Sequence, residues 1–163
     1  MKKLLITLAY LCATAHAADN IIVAEDSAWV RATPPGVSTT AIYLTLNNSG
    51  ATDIKLTAAT SDISERVELH THKHVDGVMK MQQVEFIAVP EKDKAALAPH
   101  GDHIMVFNLD QTLKPGDMVS LTLTFDDGSE RVIEVPVRKE APSGDHMQHT
   151  GTEAKSDKQH KDH

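Results

Sequence analysis

Thiol sulfur is almost absent from this chain. The one cysteine among 163 residues, Cys12, lies inside an apolar leader, so cleavage of that leader leaves none. Disulfides, dithiol redox chemistry and cysteine-based metal sites are thereby excluded from the exported protein. Basic charge is also scarce. Setting aside Lys2 and Lys3 of the leader leaves 14 basic against 23 acidic residues, a formal charge of about −9. Nucleic acid is an unsuitable partner for such a surface, which suits soluble cations or a basic protein. Long apolar runs are missing after the leader, so no membrane span is expected. No stretch shows sustained helical periodicity either. Aromatics amount to 4% of residues, yet 40% of the chain is hydrophobic, enough for one globular core.

The leader itself, "MKKLLITLAYLCATAHA", has a basic start, an apolar middle and Ala15-His16-Ala17, the small-x-small pattern of a signal-peptidase site. Residues 1–17 are read as a signal peptide that sends the protein to the periplasm. Leu11 precedes Cys12 where a lipoprotein signal usually has a small residue, which argues against a lipid anchor.

Residues 18–138 alternate short β-prone runs with turn residues, the pattern of an all-β Greek-key sandwich. The runs are "NIIVAE", "SAWVRA", "TTAIYLTLNN", "DIKLTAAT", "RVELHTHK", "VMKMQQV", "KAALAP", "DHIMVFNL", "MVSLTLTF" and "ERVIEVPV". Asp127-Gly128 marks a tight hairpin, with Val132, Val135 and Val137 as core candidates. Trp29, alone in an alternating strand, is expected in or near the core. From Lys139 the chain turns polar, and residues 139–163 are expected to form a disordered tail carrying His146, Met147, His149, His160 and His163.

What the chain does have is histidine and methionine in one short stretch. In "HTHKHVDGVMKM", a two-residue turn at Asp76-Gly77 pairs Val75 with Val78, His74 with Met79 and His72 with Met81, leaving His70 diagonal to Met81. Side chains alternate with a period of 2, so His70, His72, His74, Met79 and Met81 share one face of the hairpin. His103 and Met105 share a face of a second strand. His100, after Pro99, reads as an ordinary surface histidine. Imidazole and thioether donors together favour Cu(I) over calcium, magnesium or manganese, and zinc gains little from methionine. Thioethers also survive an oxidising compartment. Blue-copper electron transfer requires a thiolate, and nothing signals another enzyme activity.

The spacing of His70, ten residues, Met81, twenty-one residues, His103-x-Met105 resembles the motif of the periplasmic copper chaperone family PCu(A)C. "AWVRATPPG", "VELH", "DGVMKM" and "LKPGDMVSLTLTFDDG" are similar to family sequence as well. The resemblance implies a cupredoxin-like β-sandwich binding one Cu(I) through these four residues. It implies copper delivery to the CuA subunit of cytochrome c oxidase, alongside a Sco-type protein. His72 stands where many relatives have Met, so His70 and His72 are both open as the ligand. His74 and Met79 are candidate accessory ligands. The tail resembles His- and Met-rich extensions that take additional copper, including Cu(II). The alternative is a copper or zinc buffer in which the tail dominates. Histidine ligands must be neutral, so Cu(I) affinity is expected to fall below pH about 6.5.

Overall fold

Alternating burial along the strands, one residue in and the next out, organises the described residues into ten strands. The computed structural model describes residues 20–75 and 77–142, so the expected signal peptide and all but the first four tail residues lie outside it. The strands are β1 (Ile21–Arg31), β2 (Thr40–Asn48), β3 (Ile54–Ser61), β4 (Arg66–Val75) and β5 (Val78–Gln83), followed by β6 (Ile87–Val89), β7 (Lys94–Leu97), β8 (His103–Phe107), β9 (Met118–Phe125) and β10 (Glu130–Arg138). Hydrogen bonding runs β5-β4-β8-β2-β1-β10-β9-β3-β6, with β7 also paired to β2. The two layers of this all-β, cupredoxin-like fold meet at a short parallel pairing of β1 with β10, Val30 against Val137 and Arg31 against Arg138.

Val119, Leu121, Leu123 and Phe125 of β9 point inward and meet Ile42, Leu44 and Leu46 of β2 and Ile104 and Val106 of β8 in one core. Strand β2 departs from alternation: Thr40 to Leu44 are all buried, because Ala41 and Tyr43 lie under a second, smaller cluster on the opposite face.

Two expected strands, "NIIVAE" and "SAWVRA", are one strand. β1 pairs Ala24 with Thr45 and then Trp29 with Tyr43, so extra residues bulge between them. Ser27 holds the bulge, its hydroxyl donating to Ala24 O at 2.7 Å and accepting from Thr45 N at 2.9 Å. The bulge sets Trp29 opposite Tyr43, their rings 4.7 Å apart. β6, only three residues long, carries too little pattern to be seen in sequence. Val135 and Val137 are buried as expected, but Val132 is exposed, since an odd offset from Val135 turns it to the other face of β10. The Asp127-Gly128 turn is looser than a two-residue hairpin: Phe125 N donates to Ser129 O, Gly128 N to Phe125 O, and only Gly128 takes positive φ.

Candidate metal centre

The β4–β5 hairpin forms with the register read from sequence: Val75 opposite Val78, His74 opposite Met79, His72 opposite Met81, and His70 opposite Gln83. Gly77 closes it with φ of +78°, a value glycine adopts without strain. On its other side β4 pairs with β8, which puts His70 opposite His103 and Glu68 opposite Met105. This antiparallel pairing, between strands about thirty residues apart in the chain, brings the two halves of the motif onto one outer face.

Three imidazoles form a row there. His70 and His103 have ring centroids 5.9 Å apart, and His72 stacks on His103 at 5.0 Å. His70 and His103 are buried, at 8% and 2% exposure, so neither is a surface histidine. Met81 is half exposed at 47%, making it the open side of the arrangement. Met105, two residues along β8, packs against the Trp29–Ala41–Tyr43 cluster beside the row. His74 and Met79 extend the same face toward the hairpin tip. His146, Met147, His149, His160 and His163 lie outside the described residues.

The turn before β8 decides which ring nitrogens carry protons. Ala98 N donates to Asp102 O and Gly101 N to Ala98 O, with His100 at φ of +67°, and this aims the Gly101 carbonyl at the row. That oxygen accepts from His103 Nδ1 at 2.9 Å and from His72 Nδ1 at 3.3 Å. A carbonyl only accepts, so both neutral rings hold the proton on Nδ1 and keep a lone pair on Nε2. His103 Nε2 lies 3.1 Å from Met81 Sδ. In this tautomer neither atom has a proton to share, and two lone-pair donors face each other. A cation placed between them would be held by imidazole nitrogen on one side and thioether sulfur on the other.

Burial holds His103 below the ordinary imidazole value, with the neighbouring His72 and His70 acting in the same direction and the Gly101 carbonyl and Asp102 opposing. Glu68 is held below the usual carboxylate range by its hydrogen bond from His70 and then by Arg66. For His103 the sign is that of a base the fold keeps neutral. Below the unfolded value of about 6.5 the unfolded chain binds the extra proton first, so stability is lost as pH falls from there toward the folded value. Glu68 adds a loss of the same sign in the more acidic carboxylate window. Urea midpoints of the metal-free protein are therefore expected to decline as pH falls below about 6.5, and a flat profile there would contradict the burial of a neutral His103. Proton competition at this ring also begins at lower pH than the sequence-based expectation of about 6.5.

Some neighbours escaped sequence reasoning. Glu68 shares the face of His70 by simple i, i+2 alternation and was legible in principle. His100 is exposed, as expected of a surface histidine, but the turn brings its ring to 6.1 Å from His72, and Tyr43 comes to 6.3 Å from His103 through the β2–β8 pairing, which no local pattern announces. Arg31 stacks over both Trp29 and Tyr43, closing the far side of the face. Among the described residues no group of three or more His, Cys, Asp or Glu side chains is gathered for a metal ion. What converges instead is imidazole nitrogen with thioether sulfur.

The LpqE-like family model matches residues 23–137. Lipoprotein Lxx21020 of Leifsonia xyli subsp. xyli is 34% identical over 122 residues, 74% of this chain and 71% of its own length. Among solved structures, the solution structure of Cu(I)-DR1885 from Deinococcus radiodurans is 32% identical with a TM-score of 0.61, covering 78% of this chain and 83% of that one. The copper-bound PCuAC domain from PmoF2 has the same TM-score at 21% identity, covering 74% and 94%, which speaks to the fold alone.

Proposed function

The chain belongs to the LpqE-like family and has the fold of PCuAC domains, and from that premise we propose that it is a periplasmic copper chaperone of the PCu(A)C kind that holds Cu(I) on the outer face of β4, β5 and β8. His70, Met81, His103 and Met105 are the proposed ligands, with His72 the competing choice for the first position and His74 and Met79 as accessories. The observation that carries this reading is the facing pair of His103 Nε2 and Met81 Sδ, 3.1 Å apart with no proton between them. Imidazole and thioether suit Cu(I), and the match to a chain solved with Cu(I) bound supports the same metal.

The family and a relative named as a lipoprotein place the chain outside the cytoplasm. No helix among the described residues is long and apolar enough to cross a membrane. The protein transforms no substrate. Buried histidines fix one side of the cargo, and half-exposed Met81 leaves the other open, so an acceptor's ligand can attack before the old bonds have all broken. The acceptor we infer is the CuA subunit of cytochrome c oxidase, with a Sco-type thiol protein acting beside it. The tail histidines would take further copper, including Cu(II).

A Cu(I) competition titration on the full chain and on one ending at Arg138, where β10 stops, tests this. One tight equivalent is expected in both. Tight binding that disappears with the tail would replace the chaperone by a copper or zinc buffer.

A further inference from the structure

Of the three imidazoles in the row, His70 is held differently from the other two. Its Nε2 lies 2.8 Å from Glu68 Oε2, and the other carboxylate oxygen of Glu68 accepts from Arg66 Nε at 2.8 Å. Arg66 in turn stacks over Phe107 at 4.5 Å, and Phe107 lies 5.9 Å from the His70 ring. Arg66, Glu68, His70 and Phe107 thus form a closed frame across β4 and β8. An ionised carboxylate can only accept, so the His70 proton sits on Nε2, opposite to the tautomer that Gly101 imposes on His72 and His103. Nδ1 of His70 is then a bare lone pair. It is also a buried atom with no hydrogen-bond partner, the one such side-chain atom among the described residues. Buried polar atoms are nearly always partnered, and an orphan of this kind beside a converging donor pair calls for a ligand.

We propose that Glu68 is a positioning residue: it fixes His70 as the Nε2–H tautomer, so that the enclosed Nδ1 is the nitrogen offered to Cu(I). The inference rests on the copper reading of this face. The donors are then His70 Nδ1, set by Glu68, and His103 Nε2, set by the Gly101 carbonyl, with the thioethers of Met81, which faces His103, and Met105 completing the proposed set. Glu68 strengthens His70 as a donor, as outer-shell carboxylates do for metal-bound imidazoles, and sets one negative charge a single ring away from a monovalent cargo. It also separates the roles of the two competing histidines. His70 is held rigidly by a charged partner, whereas His72 shares a longer bond to Gly101 and is free to turn during loading or transfer.

Long-range proton–nitrogen NMR of the imidazole rings tests this on the full chain, as wild type, Glu68→Gln and Glu68→Ala. In the metal-free protein, wild type and Glu68→Gln should carry the His70 proton on Nε2, because the amide oxygen still accepts, and Glu68→Ala should show mixed tautomers. Adding Cu(I) should shift Nδ1 of His70 and leave its Nε2 proton in place. Cu(I) affinity should drop about 10–100-fold in Glu68→Ala and less in Glu68→Gln. An Nδ1–H tautomer in wild type, loss of the Nε2 proton on loading, or unchanged affinity in Glu68→Ala overturns the inference. Cu(I) that leaves His70, His103 and Met81 all unmoved overturns the copper reading instead, even if the tautomer depends on Glu68. Should Glu68→Ala fail to fold, the wild-type tautomer and Glu68→Gln decide the question.

Discussion

Met81→Ala and His103→Ala are each expected to weaken Cu(I) binding by more than the roughly 10–100-fold that loss of an outer-shell partner costs. The two losses should not add. With Met81 gone, His103 Nε2 has lost the sulfur that faces it at 3.1 Å and can no longer close a chelate with it, so removing the ring as well takes away less. Partners in such contact couple by about 0.5–3 kcal/mol, and a competition titration of wild type, both single variants and the double variant reads the coupling directly. Additive losses would mean that the two side chains hold separate ions or none. Folding is a weak confounder for Met81, which is half exposed on the edge strand β5, and a stronger one for the buried His103. His103→Gln, which keeps a polar group near Gly101, is the control for the latter.

Ile104→Ala is expected to cost about 2–5 kcal/mol, a large share of the roughly 5–15 kcal/mol that holds a domain of this kind together. Ile104 is fully buried, between Ile42 of β2 and Leu69 of β4, and lies between His103 and Met105 in the chain. Its removal opens a cavity directly beneath the site. The urea midpoint should fall with an unchanged slope, while Val132→Ala, on an exposed position of β10, should stay within about 0.5 kcal/mol of wild type. Cu(I) at about 100 times its dissociation constant should return about 2.7 kcal/mol to wild type and to any variant that still binds. The double Met81 and His103 variant should gain nothing. A Cu(I) response in that variant equal to wild type would remove these residues from the site.

Much of this protein was written locally. Period-2 alternation and turn residues define most of the strands, and the hairpin register around Gly77 followed from chain geometry alone, down to His72 opposite Met81. Side-chain chemistry along "HTHKHVDGVMKM" and "DHIM" named the soft donors, because ligand type and spacing are properties of the chain itself. Where the local pattern is weak or interrupted, it misleads: the Ser27 bulge splits β1 into two apparent strands, β6 is too short to show a pattern, and Val132 reads as core although it lies on the exposed face of β10.

Long-range pairing decided the rest. Only the β4–β8 ladder puts His70 opposite His103, and only the turn at Gly101 fixes the proton of His103 on Nδ1 so that Nε2 faces Met81. Burial of both histidines comes from neighbours far along the chain, including Tyr43 on β2 and Phe107 on β8. A sequence lists donors and their order. Which lone pair each donor keeps depends on acceptors brought in by the fold, here Glu68 and the carbonyl of Gly101, and that is why the chemistry of the face became definite only in three dimensions.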